Sequence, residues 1–304
     1  MGNHSKMYEL LASLYRAGVN QLPDKLAIQI QHFRCHHRWP NVDRPQTFNE
    51  KIQHRKLYDR DPRLPRLADK VLVKHYVAQT LGPKWVNPNI WSGRELPPRS
   101  RRNWPAPYVL KANHGCEWNY FVFSKADENW DYIEDLTGKW LASRYDKKHR
   151  EWLYTAIEPQ LLVEPFLGVS RTELPVDYKI FVFNGKAHYI QINVDRATNH
   201  RLSFYDRNWV KQPFSYNYPM DPKYVPPPRT LDKMLWGAER LCADISFARV
   251  DFYEVDAHPI FGEMTFYPSA GLGRFRPYSY DKFFGSLWSQ ATEENARERL
   301  PRAA

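Results

Sequence analysis

The sequence predicts an α+β fold in which hairpins alternate with single helices, rather than a doubly wound parallel sheet. Three observations carry this. Asn184-Gly185, a strong two-residue hairpin turn, stands between apolar runs at 178–182 and 187–194. A second pair of short strands, 248–253 and 261–268, flanks a turn at Asp256-Ala257-His258-Pro259. Helical patterns between the strands come singly, and residues 1–65 read as a short helical region.

In chain order, the spacing of Met7, Leu10, Leu11, Leu14 and Tyr15 predicts a helix over 7–17, and a second follows over 22–33. Thr47-Phe48-Asn49-Glu50 has the form of a capping box, with Thr47 as cap and Glu50 three residues on, and opens a third helix. A helix over 67–81 is stopped by Gly82-Pro83. Residues 88–107 form a proline-rich connection. A strand at 108–112 then pairs with 121–123 across a glycine-containing loop. Residues 131–145 are helical. The strand 161–164 is broken by Pro165, which has no backbone donor. Helices at 231–242 and 281–290 bracket the last hairpin. The expected organisation is a helical region (1–65), a first subdomain (66–160), a second subdomain (161–290) and a tail (291–304).

With 304 residues, 42% of them hydrophobic, the chain can bury a sizeable core. Its net charge of +10 favours anionic partners. The basic residues are spread along the chain, apart from a cluster between Arg94 and Arg102 that reads as a solvated loop. No nucleic-acid module has its signature here, so no nucleic-acid partner is expected. Cys35, Cys116 and Cys242 are odd in number and widely spaced, which indicates neither a disulfide framework nor a zinc site and fits a reducing cytoplasm. No apolar run is long enough to span a membrane, and no secretory signal is expected.

Alternation places Arg249, Asp251 and Tyr253 on one face of a strand, and Glu263 and Thr265 on one face of the next. Pairing of the two would gather Arg249, Asp251, Glu263 and Thr265. Two carboxylates and a hydroxyl beside a guanidinium suit Mg²⁺ and a phosphate chain, because Mg²⁺ takes one or two carboxylates plus substrate phosphates. A solvated face with a cross-strand salt bridge is the alternative. Lys111 ends a strand before a small-residue loop through Gly115, which can bind phosphates with loop amides adding donors. The bend at Glu164-Pro165-Phe166-Leu167 could present backbone groups to a purine edge, or be an ordinary strand end. Asp177 and Lys179 share a face, where Lys179 could pair with Asp177 or meet a phosphate.

In this order the pieces resemble the ATP-grasp superfamily, and within it the TupA-like amidoligases associated with bacterial polysaccharide and teichuronopeptide biosynthesis. The resemblance rests on Asn49-Glu50-Lys51-Ile52-Gln53, Lys56-Leu57-Tyr58-Asp59, Asp69-Lys70 and Leu110-Lys111-Ala112-Asn113-His114-Gly115. It continues through Val163-Glu164-Pro165-Phe166, Asp177-Tyr178-Lys179-Ile180-Phe181, Arg249-Val250-Asp251-Phe252-Tyr253 and Gly262-Glu263-Met264-Thr265-Phe266. Each motif is short; their order is the specific part, and it covers about residues 45–285.

The resemblance implies an ATP-grasp fold, two α+β subdomains clasping ATP, and an ATP- and Mg²⁺-dependent carboxylate–amine ligase acting through an acyl phosphate. Lys111, with Lys70 or Lys74 and the Gly115 loop, would hold phosphates. Glu164, Pro165, Phe166 and Leu167 would form the adenine hinge, and Asp177 and Lys179 would border the nucleotide. Asp251, Glu263 and Thr265 would hold Mg²⁺. Arg249, Lys111 and Lys179 would act in catalysis. Substrates would be a small-molecule or glycan carboxylate and an amine acceptor, with peripheral association with a biosynthetic complex compatible with this. Two departures stand out. Thr265 occupies the place where ATP-grasp enzymes usually carry Asn, keeping a neutral oxygen ligand. The helical N-terminus replaces a larger substrate domain, so acceptor recognition does not transfer. The rival readings are a kinase acting on a hydroxyl and a non-catalytic sugar or polyanion binder. Arg196, Asn199, His200, Arg201, Tyr205 and Trp209 are read as part of the acceptor site or, alternatively, a surface loop.

Overall fold

The computed structural model describes residues 15, 17–143, 149–171, 174–194 and 200–290. The helix expected at 7–17 and the tail at 291–304 lie almost wholly outside these residues.

Helix α1 (Asp24–His36) starts later than expected, because Pro23 stands at its cap, and ends where His37 turns left-handed. Helix α2 (Phe48–Tyr58) opens on the expected capping box, with Thr47 and Glu50 each receiving the other's backbone N–H. The single helix expected at 67–81 is instead two: α3 (Arg63–Ala68) and α4 (Leu72–Leu81). Asp69 makes the break. Its Oδ1 accepts the N–H groups of Val71 at 2.7 Å and Leu72 at 3.1 Å, capping the second helix at the expense of continuing the first.

The proline-rich connection holds a strand that the sequence reading missed, β1 (Trp91–Gly93). Strands β2 (Tyr108–Ala112) and β3 (Asn119–Val122) form the expected hairpin, α5 (Trp130–Ala142) follows, and β4 (Leu161–Pro165) completes a four-stranded antiparallel sheet of order β1-β4-β2-β3. Tyr108, Leu110, Ala112, Leu161 and Val163 pack on Ile133 and Trp140 of α5. Alternation turns Val109, Lys111, Leu162 and Glu164 to the other side. Because β4 pairs with β1 and β2, a subdomain boundary at 161 would cut it from its own sheet.

The larger sheet is antiparallel with order β10-β9-β5-β6-β7. It comprises β5 (Tyr178–Phe183), β6 (Lys186–Val194), β7 (Arg201–Asp206), β9 (Phe247–Val255) and β10 (His258–Thr265). Asn184 (φ 49°) and Gly185 (φ 76°) form the expected turn between β5 and β6. Asp256 and Ala257, both at positive φ, close the last hairpin in two residues rather than four. A two-stranded piece, β8 (Ser215–Tyr216) with β11 (Phe275–Arg276), was also not foreseen. Helices α6 (Leu231–Leu241) and α7 (Ser279–Leu287) complete the fold, the latter earlier than the expected 281–290.

One face of this sheet carries Ile180, Val182, Ala248, Val250 and Phe252, in one core with Met234, Leu235, Ala238 and Leu241 of α6. The other face is divided along the strands. At one end Phe181, Phe183 and Phe247 surround Phe48 of α2, with Phe284 of α7 closing the cluster. Burying the Phe48 ring contributes roughly 1.5–3 kcal/mol. At the other end the same alternation delivers Lys179, Arg249 and Asp251. The aromatic half anchors the strands whose polar half forms the candidate site.

Candidate functional site

The β9–β10 hairpin brings its polar residues together through an irregularity. Phe261 is opposite Phe252, yet Glu263 is opposite Asp251 and Thr265 opposite Arg249. Gly262 is the extra residue. Were Gly262 paired like its neighbours, strict alternation would keep Glu263 on the face of Phe261, toward the core. The bulge lets Phe261 enter the core while Glu263 and Thr265 join Arg249 and Asp251. Glycine suits the place, since a Cβ there would lie 3.2 Å from the Asp251 carbonyl oxygen.

Lys179 stands opposite Asp251 across β5 and β9, so Lys179, Asp251 and Glu263 form one row over three strands. Lys179 pairs with Asp251 and, at 2.7 Å, with Asp177. Arg249 grips both oxygens of Asp251 at 2.7 Å and reaches Glu263 at 3.1 Å and the Thr265 hydroxyl at 3.0 Å. Burial pushes the Asp251 carboxyl up to about 6, against the pull of Arg249 and Lys179. Burial acts the same way on Glu263, but Lys70, Lys179 and Arg249 outweigh it and hold that carboxyl at about 2.

The field of Lys70 on Glu263 comes from the other side of the site. Lys70 follows the Asp69 break, and its Nζ donates to the Gly115 carbonyl at 2.5 Å. One helical turn on, Lys74 donates to the Asn87 carbonyl at 2.8 Å and pairs with Glu164. Lys111 reaches the second oxygen of Glu164 at 2.5 Å. Burial alone would raise the Glu164 carboxyl, but Lys111 and Lys74 hold it at about 2. The Glu164 side chain is therefore committed to two lysines. Beyond it, Phe166 packs its ring on Phe121 and Phe123 at centroid distances of 6.0 and 5.0 Å, and its N–H donates to the Pro107 carbonyl. Pro165 ends β4 and Leu167 stands just before the bend at 168–171.

Of the residues singled out from sequence, two groups assemble. Asp177, Lys179, Arg249, Asp251, Glu263 and Thr265 share one face of the large sheet, while Lys111, Glu164, Lys70 and the Gly115 loop form the other group. The acceptor stretch does not hold together. Arg196 and Asn199 lie outside the described residues. Tyr205 is buried opposite Ile190, on the α6 side of the sheet, with Trp209 stacked on it at 4.6 Å. Both are core, away from the row.

Sequence reasoning missed what α2 does. Gln53 Nε2 donates to the Ala270 and Gly271 carbonyls, Lys56 Nζ to the Ala270 carbonyl at 2.6 Å, and Asn49 Nδ2 to the Gly273 carbonyl at 2.8 Å. These bonds fix the segment that leaves β10, in which Ser269, Ala270 and Gly271 all have positive φ. The usable signal was a polar stripe, Asn49, Gln53 and Lys56, on an otherwise buried helix. Gln191, opposite Lys179 on β6, was also missed.

Among the described residues, no group of three or more His, Cys, Asp or Glu is placed to hold a metal. The facing carboxylates of Asp251 and Glu263, with the Thr265 hydroxyl beside them, are a hard oxygen donor set. They fit Mg²⁺, which completes its octahedron with phosphate oxygens and water.

A family model described as TupA-like ATPgrasp matches residues 50–289. A search of the curated proteins finds no match. Among solved structures, the D-alanine–D-alanine ligase from Bacillus anthracis is 16% identical, with 66% of this chain and 57% of that one covered at a TM-score of 0.38. The L-amino acid ligase from Bacillus licheniformis is 11% identical, with 82% and 57% covered at 0.44. The ATP-grasp ligase PsnB, complexed with a phosphomimetic variant of its minimal precursor, Mg and ADP, is 12% identical, with 78% and 60% covered at 0.42. The chain spans a little over half the length of these ligases.

Proposed function

The chain belongs to the TupA-like ATP-grasp family, and from that premise we propose that it is an ATP- and Mg²⁺-dependent carboxylate–amine ligase acting through an acyl phosphate. The observation that carries this reading is the row of Lys179, Asp251 and Glu263, with Arg249 across it and Lys70 acting on Glu263 from the opposite side. Such a site offers two carboxylates for a metal and several cations for phosphates.

In the proposed reaction a substrate carboxylate oxygen attacks the γ-phosphorus of ATP and ADP departs. An amine then attacks the acyl carbon, the carbon–oxygen bond to phosphate breaks, and phosphate leaves with the bonding electrons. Asp251 and Glu263 would hold Mg²⁺, with Thr265 as a neutral neighbour. Bound Mg²⁺ supplies charge neutralisation at the phosphate oxygens. Lys111 and Lys70 would engage phosphates from the small-sheet side. Arg249 and Lys179, fixed by their carboxylate partners, would meet the negative charge that develops on the transferred group. Glu164 to Leu167 would border the adenine, with Asp177 holding Lys179 in place. The ATP-holding first unit is proposed to run through Pro165. We place the reaction in the cytoplasm, on an acid borne by an amino acid or a surface-polysaccharide sugar. No helix among the described residues is long and apolar enough to cross a membrane.

The test is phosphate release by purified protein with Mg²⁺–ATP and panels of acids and amines. Release that needs both an acid and an amine, with an amide product, supports the ligase. A stable phosphorylated product from one hydroxyl acceptor would make it a kinase. Bound ATP with no acid-dependent release sinks the reading.

A further inference from the structure

We propose that the side-chain carbonyl of Gln191 receives an N–H of the incoming amine, so that the β6 end of the Lys179 row is the amine subsite. The inference rests on the ligase reading above. Gln191 stands opposite Lys179, which stands opposite Asp251, which stands opposite Glu263. Four residues thus lie in line across four strands, spanning three strand spacings or about 14 Å. The metal-binding carboxylates occupy one end, Lys179 the interior, and Gln191 the other end.

The chemistry of the two ends differs. Arg249, Lys179 and Lys70 surround the carboxylate end with donors and positive charge, which suits phosphate and the activated acid. Gln191 is neutral and only 7% exposed. Its Nε2 donates to Asn193 Oδ1 at 2.9 Å, and Oε1 is a buried acceptor with no hydrogen-bond partner among the described residues. An orphaned buried carbonyl is costly and calls for a donor. Neither a carboxylate nor a phosphate oxygen carries the proton it needs; an amine does. An N–H···O bond from the amine to Gln191 would aim the nitrogen lone pair along the row, toward an acyl carbon held near Lys179. As the N–C bond forms and the C–O bond to phosphate breaks, the amine's displaced proton passes to the departing phosphate, while the bond to Gln191 fixes the nitrogen's orientation.

The experiment compares wild type, Gln191→Leu and Gln191→Glu. It uses the acid and amine that give the fastest turnover in a panel of the common L-amino acids, ethanolamine and glucuronate. Expected is a rise of about tenfold in the amine KM for Gln191→Leu, the loss of one hydrogen bond, with the KM for acid and for ATP within about twofold. Gln191→Glu, which keeps an acceptor in place, should return the amine KM toward wild type. An unchanged amine KM in Gln191→Leu overturns the inference, as does a parallel rise of all three KM values, the mark of a merely structural effect. Wild type that gains stability with Mg²⁺–ATP but turns over nothing in the panel removes the ligase reading, and the inference with it.

Discussion

Asp251 and Glu263 face each other across β9 and β10 only because Gly262 inserts one residue between the Phe261 and Glu263 pairings. The bulge is what converts a hairpin with a core face into a site. Gly262→Val, whose Cβ would crowd the Asp251 carbonyl in the bulge, should favour regular pairing of residue 262 and turn Glu263 toward Val250 and Phe252. Burying that carboxylate without partners should cost several kcal/mol, about 3 or more. Urea unfolding reads the loss. A Gly262→Val variant as stable as wild type would show that the register is set elsewhere.

Much of this arrangement was legible because period-two alternation and two-residue turns are local signals. Arg249 and Asp251 could be placed on one face from their spacing, and Lys179 beside Asp177 likewise. The bulge also left a trace, a glycine inside a strand. The break at Asp69 was hidden because a capping carboxylate looks like any polar residue on a helix. Tyr205 and Trp209 misled because aromatic and polar residues together fit a binding loop as well as a strand with one buried face. The bonds from Gln53 to Ala270 and Gly271 join residues more than two hundred positions apart, beyond any local pattern.

Glu164 lies between Lys74 and Lys111, and its removal should be felt first as instability. Lys74 is nearly buried, so Glu164→Gln would leave an uncompensated ammonium group and cost about 3 kcal/mol. The pH dependence has a definite sign. The folded Glu164 carboxyl sits at about 2, below its ordinary 4.5, so its contribution is present above 4.5 and is lost as pH falls toward 2. The stability gap between wild type and Glu164→Gln should therefore narrow from pH 7 to pH 3 in chemical denaturation. A constant gap would mean that the pair is not the cause.

Asp281 should behave in the opposite sense. Only 2% exposed on α7, it accepts the Asn49 N–H at 3.0 Å, yet burial pushes its carboxyl up from 3.8 to about 6. The folded protein thus holds the proton more tightly than the unfolded chain, and stability falls as pH rises from about 4 to 6. Asp281→Asn keeps the acceptor oxygen and removes the ionisation. Its stability relative to wild type should improve by about 1–3 kcal/mol between pH 4 and pH 7.5. Equal pH profiles would refute a buried, titrating Asp281.

Mg²⁺–ATP binding is the most direct check on the paired carboxylates. A nucleotide at a hundred times its Kd should stabilise the wild type by about 2.7 kcal/mol. Asp251→Asn/Glu263→Gln also removes partners of Lys179 and Arg249, so its own melting temperature will be lower, and the quantity to compare is the shift on adding ligand. Wild type should gain most with ATP and Mg²⁺ together, less with ATP and EDTA, while the double variant should show no difference between the two. Lys111→Met should lose part of the shift under both conditions, since Lys111 is assigned to phosphate and not to metal. A double variant that keeps the full Mg²⁺-dependent gain would place the metal away from Asp251 and Glu263 and leave their row as a structural salt-bridge network.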